Sequence, residues 1–76
     1  MKREILDRMM ANSQVVGLEL VLFNGEVANV YDYEKSGKDD NILIVTDPFK
    51  SVVNLDYVVR INVIEEIDLK IGRAHV

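Results

Sequence analysis

The chain has 76 residues, 49% of them hydrophobic, no cysteine and a formal net charge of −4. A single domain of this size exposes much of its surface, so some of those apolar side chains are expected to be exposed or buried against a partner. The missing thiols exclude disulfides and thiolate catalysis, and the acidic balance weighs against broad binding to a phosphate backbone.

Residues 2–12 read KREILDRMMAN. Ile5, Leu6, Met9 and Met10 share one side of a helix, with Lys2, Arg3, Asp7 and Arg8 on the other. The spacing predicts an amphipathic helix of about three turns. So short a helix is marginal alone and must dock, on its own sheet or on a second subunit.

Residues 18–33, LELVLFNGEVANVYDY, place Asn24-Gly25 between two apolar runs, the strongest short-range signal for a two-residue type I′ hairpin loop. That register sets Leu22 opposite Val27, Leu20 opposite Asn29, Leu18 opposite Tyr31 and Val16 opposite Tyr33. One face of the ribbon then carries Val16, Leu18, Leu20, Leu22, Val27, Tyr31 and Tyr33, interrupted only by Asn29; this is the expected core face. The opposite face is mixed. It holds Val21, Phe23, Ala28 and Val30 together with Gly17, Glu19, Glu26 and Asp32.

The polar stretch EKSGKDDN, residues 34–41, has no periodicity and reads as a loop. Residues 42–45, ILIV, form a short strand that Asp47-Pro48 stops, since proline offers no N–H to a ladder. Ser51-Val52-Val53 is a further short strand, and Leu55-Asp56 forms a tight turn. From Tyr57 to Ile71 the odd positions are apolar except Glu65, and the even ones are mostly polar, with Val58 and Ile64 as exceptions. This predicts one long strand, bent or bulged at Glu65-Glu66. The closing GRAHV has no pattern.

The expected fold is mainly β: a small, bent antiparallel barrel of five or six strands, Sm-like or SH3-like, behind one short N-terminal helix. The chain reads as one domain, with the helix at 2–12, the barrel at 15–71 and a tail at 72–76. No run approaches the ~18 apolar residues of a membrane span, and the N-terminus has no signal-peptide core, so the default location is the cytoplasm.

Chemistry-bearing residues are sparse. His75 is the only histidine and stands in the unpatterned tail, without an orienting partner. Asp39-Asp40-Asn41 offer hard oxygen atoms but lack the spacing of a calcium loop. Glu65 and Glu66 point to opposite sides of a strand, and Asp32 and Glu34 share a face with nothing to complete a site. Ser13, Ser36 and Ser51 have no nucleophile elbow, and Gly37-Lys38 is not a phosphate loop. No catalytic residue, metal site or cofactor is expected.

The order of elements resembles the Sm-like family. Gly17 opens the first strand, Asn24-Gly25 makes its turn, Asn41-Ile42-Leu43-Ile44 is similar to the strand that ends the family's first motif, and two short strands follow around a tight turn. The resemblance spans about residues 3–64. It implies a five-stranded barrel behind an N-terminal helix, assembly into rings through edge strands, and single-stranded RNA bound at the pore. Asn54-Leu55 stands where that family has an Arg-Gly turn.

Two partner classes follow. Self-association, or contact with a protein partner, is expected to use Met9, Met10, Val21, Phe23, Val30, Val58 and Ile64, the apolar side chains left outside the expected core. RNA contact, disfavoured by the acidic charge, is expected to use Tyr33, Lys35, Lys38, Phe49 and Lys50, which combine aromatic platforms with cations. A third expectation, a small molecule held between subunits, rests on Asn29 interrupting the apolar face.

Overall fold

A computed structural model describes residues 1–35 and 38–66. Among these residues lie the helix α1 (Arg3–Met10) and the strands β1 (Val15–Leu22), β2 (Val27–Val30), β3 (Asp32–Tyr33), β4 (Ile42–Asp47), β5 (Ser51–Asn54) and β6 (Val58–Glu65). A 3₁₀ turn, Leu55–Tyr57, joins β5 to β6. The strands form two antiparallel three-stranded sheets, ordered β2-β1-β6 and β3-β4-β5. The fold is therefore mainly β with a short N-terminal helix, as the sequence implies. Among the described residues no ladder joins β5 to β6, so each sheet keeps a free edge there.

The hairpin differs from expectation by one residue. Leu18 pairs with Val30, Glu19 with Asn29, Leu20 with Ala28 and Val21 with Val27. Its loop has three residues, Phe23-Asn24-Gly25, closed by Gly25 N–H donating to Leu22 O (2.9 Å) and Leu22 N–H donating to Glu26 O (2.8 Å). A type I′ turn requires positive φ at both central residues. Here only Gly25 has it (φ +86°), while the Asn24 side chain accepts from Glu26 N–H at 3.0 Å. This is a turn ending in a left-handed glycine, which adds one residue to the loop.

That extra residue reverses the faces of β2, because side chains alternate with period two. Val30 is fully buried, not on the outer face, and Ala28 packs beside the core. Val27 and Asn29 are exposed. Asn29 is thus no polar intrusion in the core face. The β1 side is as expected, with Leu18 and Leu20 fully buried. Tyr33 also reaches the core, after an irregularity between Asp32 and Tyr33.

The strict alternation expected of the last strand breaks as well. Val58 pairs with Leu22 and Arg60 with Val21, leaving Val59 as the extra residue of a bulge. Val58 and Ile61 pack against the core, while Val59 and Val63 are exposed. Residues 67–71 of the expected strand, the 72–76 tail and His75 lie outside the described residues, as do Ser36 and Gly37.

The core joins both sheets to the helix. Leu18, Leu20 and Val30 face Tyr33, Leu43, Val45 and Val53, with Leu6 from α1 and Leu55 from the 3₁₀ turn completing it. Leu6 is the one buried residue of α1. Two contacts fix this short helix beyond its apolar face. Arg3 N–H donates to Asp40 O (2.8 Å), and the Tyr33 hydroxyl donates to Asp7 Oδ1 (2.6 Å). Docking of this kind stabilises eight residues that would not stay helical alone. No helix among the described residues is long and apolar enough to cross a membrane.

Candidate functional site

What distinguishes the surface is uncovered apolar area. Among the described residues, eight large hydrophobic side chains are substantially exposed: Ile5, Phe23, Val27, Phe49, Val52, Tyr57, Val59 and Val63. They are not scattered singly, which would need no explanation. All but Val63 gather at two places, each beside a free strand edge.

The first lies along α1 and β6. Ile5 and Met9 from the helix, with Val58, Val59 and Ile61 from the strand, line a shallow groove of about 340 Å³ whose one charged side chain is Arg60. Above it, Phe23 and Tyr57 pair at 5.1 Å between ring centroids, tilted by 50°, and Phe23 N–H donates to Tyr57 O (2.8 Å). The turn thereby presents two aromatic rings to solvent.

The second place lies between the hairpin tip and the turn after β4. Val27, Phe49 and Val52 form the walls of a groove of about 360 Å³, with Leu22 and Val53 at its base. Glu26 is its one charged side chain, and Asn29 and Ser51 add polar groups. Val52 is exposed because its ladder partner is Ile44 on the outer face of β4, while Val53, opposite Leu43, turns inward.

The outer face of the first sheet has a polar row. Asn62 Nδ2 donates to Glu19 Oε1 (2.9 Å), and Glu19 lies opposite Asn29. One row away, the Tyr31 ring covers Gly17 so closely that a Cβ there would lie 2.6 Å from Tyr31 Cδ1.

The residues expected at an interface are distributed unevenly. Phe23 is exposed at the tip. Val21 and Ile64 are half-buried on the outer face, and Met9, Met10 and Val58 are half-buried against the subunit's own core. Val30 is inside it. Val27, Val52 and Val59 were not anticipated as exposed apolar residues. A signal for two of them exists in the sequence: Val52-Val53 and Val58-Val59 are adjacent apolar pairs in strands, and neighbours in a strand cannot both face one core.

The residues expected to touch RNA are split. Tyr33 is buried beneath Lys35, whose Nζ sits 5.3 Å from the ring centroid and 3.4 Å from Asp32 Oδ1. Burial and the Asp7 carboxylate hold the Tyr33 hydroxyl protonated far above the usual tyrosine range. Phe49 and Lys50 lie instead in the turn beyond β4, away from the β3–β4 pairing of Tyr33 with Val45. Lys38 is exposed.

A third polar group gathers at the 3₁₀ turn. Asp56 accepts from Asn41 Nδ2 (3.0 Å) and pairs with the Met1 ammonium (3.3 Å), contacts that lower its pKa. Asn54 Oδ1 accepts from Asp56 N–H (3.0 Å) and fixes the turn. These bonds satisfy one another and serve the docking of the N-terminus on the sheet. Among the described residues no three histidine, cysteine or carboxylate groups are placed to hold a metal ion.

No family model, curated protein or solved structure matches this chain.

Proposed function

We propose that this chain is a non-enzymatic small β-barrel module of the cytoplasm, of the Sm-like or SH3-like kind, that acts by self-association and partner binding. The observation that carries the reading is the gathering of exposed apolar side chains beside the free edges of β5 and β6. Unpaired strand edges offer rows of N–H and C=O groups to another chain, and proteins that do not use them normally blunt them with charge, proline or a covering element. Here the flanks of both edges are apolar. Association would supply the burial that so small a core lacks.

Light scattering behind a sizing column, at low micromolar concentration, tests this. The expected mass exceeds one subunit, and Phe23→Asp lowers it without changing the far-UV circular dichroism. A clean monomer overturns the proposal.

A second reading, binding of single-stranded RNA, has one observation behind it: Phe49 and Lys50 stand exposed side by side in the turn after β4. A salt-dependent mass shift on adding oligo-U supports it, and no shift at low salt refutes it.

A further inference from the structure

We infer that the self-association runs head to tail, with the β6 bulge of one copy seated in the hairpin groove of the next. This rests on the self-association proposed above and adds which surfaces meet. Val59 is the unpaired residue of the bulge, 66% exposed, and Arg60 beside it is exposed too. Both line the α1–β6 groove, where Val59 is the most exposed apolar side chain, and together they make the apolar knob, carrying one cation, that the neighbouring copy would cover. The groove between the hairpin tip and the β4–β5 turn has the complementary character. Val27, Phe49 and Val52 give it apolar walls, and among the described residues Glu26 is the charged side chain that lines it.

Among the described residues Arg60 and Glu26 make no ion pair, although three other pairs form. Knob and groove are both open on the same subunit, so they do not satisfy each other within one chain. A second copy supplies to each the partner it lacks: apolar surface to cover, and one charge of opposite sign. Knob and groove are different surfaces, so in the head-to-tail arrangement each contact leaves one of each free. Each added subunit presents a fresh knob or a fresh groove, and the series closes into a ring or continues as a filament.

Charge reversal tests this on the full chain, with native mass read by light scattering and folding by circular dichroism. Glu26→Arg and Arg60→Glu, both at exposed positions, are each expected to weaken association at least tenfold while leaving the fold intact. The double variant with both charges exchanged is expected to recover the wild-type mass. Val59→Asp, which removes the apolar part of the knob, is expected to dissociate the assembly and not to be rescued by either exchange.

A wild-type oligomer whose mass survives both single reversals overturns the knob-and-groove contact but leaves self-association standing. Dissociation that the double exchange fails to repair overturns the pairing of Arg60 with Glu26. A wild-type dimer overturns the head-to-tail arrangement. A wild-type monomer overturns the underlying proposal itself.

Discussion

Gly17→Ala isolates one packing decision in this fold. Gly17 sits in β1 with ordinary strand φ, so alanine is conformationally acceptable, and the usual effect of removing a glycine is a gain of about 0.4–1 kcal/mol through the unfolded chain. The obstacle is space. The new Cβ would meet Tyr31 Cδ1 at 2.6 Å, Tyr31 Cε1 at 2.8 Å and the Val30 carbonyl oxygen at 3.1 Å. Carbon atoms pack best at about 3.5–4.0 Å, so the ring must retreat by roughly 1 Å. The Val30 carbonyl is held in the backbone of β2, leaving Tyr31 as the group that moves, and it loses its cover on the sheet. Forced repacking of this size costs about 1–3 kcal/mol. The net expectation is a destabilisation of about 1–2 kcal/mol, or a fall in Tm of roughly 5–15 °C for a domain of this length. Thermal and urea unfolding followed by far-UV circular dichroism measure it, at one fixed protein concentration because association shifts apparent stability. In a Tyr31→Ala background only the 3.1 Å contact with the Val30 carbonyl oxygen remains, and Gly17→Ala costs clearly less there. A Gly17→Ala protein that melts at or above the wild type, or an equal loss in both backgrounds, refutes the reasoning.

Two further perturbations probe the docking of α1. Tyr33→Phe removes the 2.6 Å hydrogen bond to Asp7 and is expected to cost about 1.5–3 kcal/mol, typical of a bond to a charged group. Its pH dependence carries a definite sign. The folded-state pKa of Tyr33 is raised, so the stabilisation is fully present below the unfolded value of about 10 and is lost as pH rises above it toward the folded value. Wild-type stability should therefore fall more steeply than that of Tyr33→Phe in urea titrations carried above pH ~10; parallel curves refute the assignment. Leu6→Ala empties the one buried position of the helix and is expected to cost about 2–5 kcal/mol, with loss of helical circular dichroism before the sheets unfold. A loss under ~1 kcal/mol would mean that α1 does not close the core.

Most elements and their order were legible from local patterns, but the division of residues 27–33 between β2 and β3, which pairs Tyr33 with Val45 and not Val16, was not. The Ile5-Leu6-Met9-Met10 stripe marked the helix, Asn24-Gly25 marked the hairpin, and Asp47-Pro48 ended β4. The faces were less legible, and the reason is specific. Asn-Gly fits a two-residue loop with both residues at positive φ, and it equally fits a three-residue loop in which glycine alone is left-handed. Nothing in residues 22–27 separates these. The choice is made farther away, where Val30 completes a core with Leu18, Leu20 and Leu43 that Tyr31 would have to fill in the other register. Since one residue of slip inverts every side chain of β2, this single local ambiguity moved Val30 from an expected contact surface into the core and moved Val27 out of it.

The same parity argument, applied to adjacent valines, locates the exposed apolar side chains better than the hairpin register does. An apolar pair such as Val52-Val53 or Val58-Val59 sends one member outward whatever the register, unless a bulge intervenes, and at Val59 the bulge itself pushes the side chain out. Both pairs belong to edge strands of three-stranded sheets, where an outward valine stands beside backbone N–H and C=O groups left without a neighbouring strand. The two apolar flanks therefore follow from two facts that survive the one-residue error: where the sheets end, and where two valines stand in succession.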